Sequence, residues 1–287
     1  MLVDASYTVP ITKVTQGLED VFADDVVATE EPLEIRLTYG ALHNRQTQNV
    51  AVTMRTPGHD SELAVGFLFT EGIIKNQDDI LTAQHAFIAC TENRENVINI
   101  ELQPHVVPSL GKADRNFYTT SSCGVCGKSS ISAIRTVSAY AGTSAHEFSI
   151  EAATLYQLPY ILRHHQEVFD STGGLHASAL FTSDGQLLEL REDVGRHNAL
   201  DKLIGASLNK NWLPIADKVL LLSGRISFEL VQKAAMAGIS VIAAIGAPSS
   251  LAVQLAQEFN ITLVGFLRQQ RFNIYTAAHR VKTAFSL

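Results

Sequence analysis

Residues 218–266 read KVLLLSGRISFELVQKAAMAGISVIAAIGAPSSLAVQLAQEFNITLVGF. Three short, almost wholly apolar runs, in KVLLLSGR, ISVIAAIG and ITLVGF, alternate with two segments of about a dozen residues that carry helical spacing. Strands without polar alternation are strands buried on both faces, and their alternation with helices is the βαβαβ rhythm of a parallel sheet covered on both sides. Such sheets bind ligands beyond the carboxyl ends of their strands, where loops run into helix N-termini.

Three stretches fall at those ends. Ser223, Gly224 and Arg225 offer a hydroxyl, a close backbone approach and a guanidinium just before a helix. GAPSS (246–250) places Ser249 or Ser250 at the next helix cap. Phe266, Leu267, Arg268, Gln269, Gln270 and Arg271 follow the last strand. Singly, each is a capped helix start or a solvated loop; together they make a phosphate or nucleotide pocket. Neither G-x-G-x-x-G nor a Walker A pattern is present, which excludes the usual dinucleotide and P-loop signatures.

Upstream, HASALFT and QLLELRE flank Ser183-Asp184-Gly185, a hairpin signal in which both central residues take positive φ. PYILRHHQEVF reads as a helix with Pro159 in its first turn, and RHNALDKLIGASL as an amphipathic helix. His176, preceded by two glycines, is either a ligand-facing imidazole or a hydrogen-bonded histidine at a strand start. Arg196 and His197 open a helix beside Glu192 and Asp193, with which they can pair.

The first part of the chain is a smaller α+β unit. LEIRLTY (33–39) and VAVTM (50–54) form a hairpin, SELAVGFLFTEGII a helix capped by Asp60 or Ser61 and ended by Gly72, and HAFIAC and NVINIEL two further strands. Pro104, Pro108 and SLGKADRN place a boundary near residue 115, giving an N-terminal domain over 1–115 and an α/β domain over 116–287.

Across all 287 residues the composition is 46% hydrophobic and 18% charged, with a formal net charge of −7, which argues against a general nucleic-acid binder. The N-terminus lacks the basic and apolar regions of a signal peptide, and no run approaches 18 apolar residues, so a cytoplasmic protein without a membrane segment is expected.

Three cysteines are too few for a disulfide framework. Cys90 ends an apolar run and reads as a buried thiol. Cys123 and Cys126 lie in TTSSCGVCGK (119–128), among Ser, Thr and Gly, a composition that favours a mobile loop. Lys128 and a helix start at Ser129 can lower a thiolate pKa there. A structural zinc needs four ligands, and this pair supplies two. A nucleobase deaminase carries H-x-E and then P-C-x-x-C; here Ser178 stands two residues after His176 and no later cysteine pair exists, so zinc deaminase chemistry is excluded.

RTPGHDSELAVGFLFTEGII, SSCGVCGK, TGGLHASAL, EDVGRHNALDKLIG, LSGRISFELVQKAAMAGI and GAPSSLAVQLA, in that order, closely resemble the formate dehydrogenase accessory (FdhD/NarQ) family from about residue 30 onward. The resemblance implies a sulfur carrier that takes sulfane sulfur from a cysteine desulfurase. It passes that sulfur to the bis(molybdopterin guanine dinucleotide) molybdenum cofactor before insertion into formate dehydrogenase. It also implies a cytidine-deaminase-like, three-layer α/β/α core without a permanent metal. Carried over, Cys123 is the persulfide residue and Cys126 assists, while Phe266 to Arg271 bind the cofactor with Ser223, Gly224, Arg225 and His176. The expected partners are the desulfurase, formate dehydrogenase, the cofactor as bound substrate, and a second copy of the chain in a homodimer. A chaperone that holds the cofactor without transferring sulfur stays open, as does a structural zinc protein.

Overall fold

The protein is described by a computed structural model over residues 5–86, 96–110, 140 and 148–284. Strands β1 (Ser6–Lys13) and β2 (Val21–Ala28) form a two-stranded antiparallel ribbon. Both strands are largely exposed, with no one-sided buried pattern, which is why the sequence carries no strong strand signal there.

β3 (Glu31–Tyr39) and β4 (Gln46–Arg55) form the expected hairpin, interrupted by a bulge after Ile35. Helix α1 (Asp60–Thr70) follows, then β5 (Ile80–His85) and β6 (Val97–Leu102), giving a four-stranded sheet in the order β4-β3-β6-β5. β5 ends at His85, where the HAFIAC strand was expected to begin, and residues 87–90 of that run lie outside the described residues. The α1 cap is His59, in the left-handed region at φ 58° and without a side-chain cap bond. Asp60 is unavailable for capping because its carboxylate receives Arg55 through Nε and Nη2 at 3.1 and 3.0 Å.

After the short β7 (Ile150–Glu151) come α2 (Ala152–His165) and α3 (Glu167–Thr172). Buried Leu155, Leu158 and Leu162 start α2 well before the expected PYILRHH, so Pro159 sits inside the helix and denies the Leu155 carbonyl its i+4 donor. β8 (His176–Phe181) and β9 (Leu187–Asp193) pair antiparallel. Their turn is longer than a two-residue one: Thr182 N donates to Gln186 O at 3.0 Å, and Gly185 takes positive φ while Asp184 does not.

Helix α4 (Arg196–Asn209), β10 (Val219–Leu222), α5 (Phe228–Met236), β11 (Val241–Ala244), α6 (Ser250–Glu258), β12 (Thr262–Gly265), β13 (Asn273–Thr276) and β14 (Val281–Lys282) complete the chain. The six-stranded sheet runs β13-β12-β11-β10-β8-β9. β10, β11 and β12 are parallel as expected, but β8, β9 and β13 are antiparallel, so the sheet is mixed.

One face of this sheet packs on α2 through Leu155, Leu158, Leu162, Ala179, Phe181, Val219 and Leu221. The other face packs on α4, α5 and α6, in a core that continues into α1 and the inner face of the four-stranded sheet. Each buried Leu or Ile there contributes about 1.5–3 kcal/mol through removal from water. α4 is not amphipathic as expected: it lies between sheet and α1, and every residue from His197 to Leu208 is buried.

The seam between the two units is carried by charge as well as packing. Arg191 on β9 reaches Glu62 on α1 at 2.5 and 2.9 Å, and His59 Nδ1 lies 3.2 Å from Glu62. Burial pushes the Glu62 carboxyl up, but the His59 hydrogen bond and Arg191 outweigh it and bring the pKa from 4.5 down to about 2. A folded-state pKa below the unfolded one contributes stability that is present above 4.5 and lost as pH falls towards 2. Urea melts at stepped pH should therefore show stability falling across that window, and Glu62→Gln should flatten the fall; an unchanged slope would refute it.

Candidate functional site

β10, β11 and β12 end side by side, and the antiparallel β8 begins at the same edge with His176. This topology joins the three loops singled out in the sequence. Ser223 N donates to Ala177 O at 3.0 Å, and Ala177 N donates to Ser223 Oγ at 2.8 Å, so the Ser223 hydroxyl locks the end of β10 to the start of β8.

Gly224 packs under the His176 ring: a Cβ there would stand 3.2 Å from His176 Nδ1. Gly246 N donates to Gly224 O at 3.0 Å, and a Cβ on Gly246 would meet that oxygen at 2.6 Å and Arg225 N at 2.8 Å. Only glycine allows two loops to approach so closely.

The third loop is laid onto the second. Phe266 N donates to Gly246 O and Leu267 N to Ala244 O, both at 3.0 Å, which holds Phe266 in the left-handed region at φ 53°. Leu267 is buried while the Phe266 ring stands 44% exposed at the rim. Arg268 N donates to Arg271 O at 2.9 Å, closing a tight turn, and Arg268 Nη1 donates to Ile245 O at 2.7 Å. Gln269, Gln270, Arg271 and Arg225 are exposed.

Helices α5 and α6 start at this edge. Ser249 caps α6 by accepting from Ala252 N at 3.2 Å, as its position in GAPSS indicated. Ser227 at the α5 cap makes no cap bond and lies 3.2 Å from His197 Nε2, which is 3.9 Å from Glu229. Two helix N-termini and three arginines form an edge suited to phosphate oxygens.

His176 is half-buried opposite Asp193 at the end of β9. Burial lowers its pKa below 6.5 and the nearby Arg196 charge lowers it further, against a smaller opposing effect of Asp193. The imidazole is therefore neutral at pH 7, a donor at one nitrogen and an acceptor at the other.

Arg196 and His197 do not pair with Glu192 and Asp193 as the sequence suggested. Asp193 is buried and takes Lys202 at 2.8 Å, with Gly195 N at 2.8 Å and Asn198 at 3.2 Å. Glu192 caps the amides of Val168 and Phe169 at 3.1 and 2.9 Å. The Arg196 Nε is buried without a hydrogen-bond partner, as is the Ser178 hydroxyl. Sequence reasoning missed the His197–Ser227 contact, because its partners are 30 residues apart and meet only through packing of α4 on α5.

Cys90, Cys123 and Cys126 lie outside the described residues. Among the described residues, no group of three or more His, Cys, Asp or Glu side chains is arranged to hold a metal ion, and no helix is long and apolar enough to cross a membrane.

Comparison with known proteins extends over nearly the whole chain. The sequence profile of the FdhD/NarQ family matches residues 28–282. The sulfur carrier protein FdhD of Mycolicibacterium paratuberculosis is 51% identical over 275 residues, covering 94% of this chain and 97% of the relative. That of Streptomyces avermitilis is 48% identical with 94% of each chain covered, and that of Sulfurisphaera tokodaii 41% identical, covering 95% and 98%. The crystal structure of a candidate formate dehydrogenase accessory protein from Desulfotalea psychrophila superposes with a TM-score of 0.70 at 22% identity, covering 97% of this chain and all of that one, a likeness of fold.

Proposed function

Since the chain belongs to the FdhD/NarQ family, we propose that it is a sulfur carrier that matures formate dehydrogenase by sulfurating the molybdenum cofactor. The observation that carries the reading is the near-complete, 51% identical match to a protein named as a sulfur carrier. The grouping of Ser223, Gly224, Arg225, His176 and Phe266 to Arg271 at one sheet edge supports it, because the cofactor carries guanine dinucleotide phosphates.

In this reading a Cys123 thiolate attacks the terminal sulfur of a cysteine desulfurase persulfide. The donor's S–S bond breaks, the donor leaves as a thiolate, and Cys123 holds the sulfane sulfur with no net redox change. Delivery as sulfide needs two electrons, which Cys126 supplies. Its thiolate attacks Cys123 Sγ, sulfide leaves for the molybdenum, and a Cys123–Cys126 disulfide remains. The cofactor is a bound substrate. Arg225, Arg268 and Arg271 with the α5 and α6 N-termini take its phosphates, Phe266 offers a ring face to a guanine, and His176 a neutral hydrogen-bonding imidazole.

The C-terminal unit, 116–287 against an N-terminal 1–115, is read as a cytidine-deaminase-like core that has given up zinc chemistry. In the sequence, Ser178 takes the place of the glutamate of H-x-E, two residues after His176. The protein works in the cytoplasm, as a homodimer.

Intact-protein mass spectrometry after incubation with a desulfurase and cysteine tests the transfer. The native chain should gain about 32 Da that a thiol reductant removes, Cys123→Ala should gain nothing, and Cys126→Ala should load yet fail to release sulfide. A native chain that gains no sulfur but still binds the cofactor would make it a holding chaperone instead.

A further inference from the structure

β9 is the outer strand of the six-stranded sheet, and no strand pairs with its other edge among the described residues. That edge is the floor of a cavity of about 570 Å³ lined by six consecutive β9 residues, Leu187 to Glu192. One wall is the loop Thr56–His59 and the other is His165, Glu167 and Val168 at the α2–α3 junction. Six strand residues span about 20 Å, so the groove has the length of an extended peptide laid beside a strand. Open strand edges pair readily with a further strand, main-chain bonds giving the affinity and alternate side chains the selectivity. The Leu190 carbonyl accepts from Arg191 at 2.7 Å and the Glu192 carbonyl from Lys202 at 3.4 Å, side-chain bonds that an entering N–H can share, because a carbonyl has two lone pairs.

The charges in the groove say what enters. Arg191 is neutralised by Glu62 and Glu189, Glu189 also takes Lys210, and Lys202 is paired with Asp193. Glu167 and Glu192 line the groove with no cationic partner among the described residues. Burial and the Glu167 charge push the Glu192 carboxyl above its ordinary value, against the hydrogen bonds of the Phe169 and Val168 amides.

Exposed carboxylates continue beyond the groove. Ala5 lines it, and the adjoining β1–β2 ribbon exposes Tyr7, Phe22, Asp24 and Asp25. A two-stranded ribbon with bare apolar side chains is marginal in water by itself and gains from being covered. A second copy of this chain, with a net charge of −7, has the wrong overall sign for a groove lined by Glu167 and Glu192.

We propose that the β9 groove docks an extended, basic and apolar segment of a partner polypeptide, which adds to the sheet as a strand beside β9. The inference stands apart from the sulfur-transfer reading, since it involves neither the cysteines nor the β10–β12 edge.

The probe is a fluorescein-labelled eight-residue peptide alternating Val and Lys, titrated with the full chain by fluorescence anisotropy. It should bind with a Kd below about 1 mM and at least about tenfold tighter than the Val/Glu counterpart. N-methylation of alternate amides in one register should weaken it about tenfold while methylation in the other register changes little, because only one set of N–H groups faces β9. The Glu167→Gln, Glu192→Gln double variant should bring the Lys/Glu preference down to about threefold. The methylated peptides leave the protein unaltered, so they decide the question even if that variant folds poorly. Equal binding of the two peptides, binding weaker than about 1 mM, or equal loss in both methylation registers would overturn the proposal. So would a dimer of the native chain that the Val/Lys peptide dissociates, which would give the groove to a second copy.

Discussion

Replacing Gly205 with alanine is expected to destabilise the protein by at least about 3 kcal/mol, the upper range for overpacking a well-filled core. α4 crosses α1 backbone to backbone at two glycines. A Cβ on Gly205 would stand 2.0 Å from the Glu62 carbonyl oxygen, and one on Gly66 would stand 1.9 Å from that of Asp201. Neither neighbour is a side chain that can turn away. The helices must separate, and the apolar seam of Leu63, Leu200 and Ile204 must open with them. Thermal denaturation should show a melting temperature lower by roughly 10 °C for either single variant. The Gly66→Ala, Gly205→Ala double variant should cost less than the sum, since one separation relieves both clashes. Gly173→Ala is the contrast: it sits in open space at φ 66°, so only backbone strain of about 1 kcal/mol is expected. Equal stability of the Gly205 and Gly173 variants would contradict the crossing geometry.

Removing Asp201 should cost about 3–5 kcal/mol, the usual consequence of leaving a buried charge alone. Lys233 on α5 donates to both Asp201 oxygens at 2.9 Å and to Thr70 Oγ1 on α1 at 2.9 Å, so three helices converge on one ammonium. Burial pushes the Asp201 carboxyl up and Lys233 opposes it. In Asp201→Ala the ammonium keeps Thr70 and, at 3.9 Å, Glu71, a geometry too loose to replace a bidentate pair. Lys233→Met should cost about as much from the other side, whereas Asp201→Leu with Lys233→Met should recover most of the loss, because a packed apolar pair avoids the desolvation of two ions. Urea denaturation of the three variants decides it: a double variant as unstable as the sum of the singles would mean that Asp201 and Lys233 are not coupled, and would contradict the buried pair.

Much of the fold was legible because its signals are local. The apolar runs in KVLLLSGR, ISVIAAIG and ITLVGF are short and alternate with helical segments, as strands buried on both faces do. Ser249 caps α6 in place, and Leu33 to Tyr39 alternate as a half-buried strand must. The candidate edge was legible for the same reason: Ser223–Arg225, Gly246–Ser250 and Phe266–Arg271 each follow a strand directly, so their meeting required only that the strands be parallel neighbours.

The features that were not legible depend on what each element packs against. RHNALDKLIGASL has polar residues at the spacing of a solvent face, yet Asp201 and Lys202 are inside, because α1 covers α4 and Lys233 and Asp193 supply opposite charges. Pro159 looked like a helix start because its missing N–H is harmless there, but the apolar period of Leu155, Leu158 and Leu162 begins α2 earlier, and burial of that stripe outweighs one lost hydrogen bond.

The sequence by itself determined the strand–helix alternation, the glycines and caps of the candidate edge, and the series of motifs that places the chain in its family. Each of these resides in neighbouring residues, whose side-chain period, backbone freedom or hydrogen-bonding capacity acts over a few positions. Only the tertiary structure decided that β8 runs antiparallel beside β10 and so lays His176 over Gly224. It likewise decided that the buried ions pair across helices and that the outer edge of β9 floors a groove. Those outcomes join residues tens of positions apart, and are set by which faces must leave water together and which buried charges must find a partner.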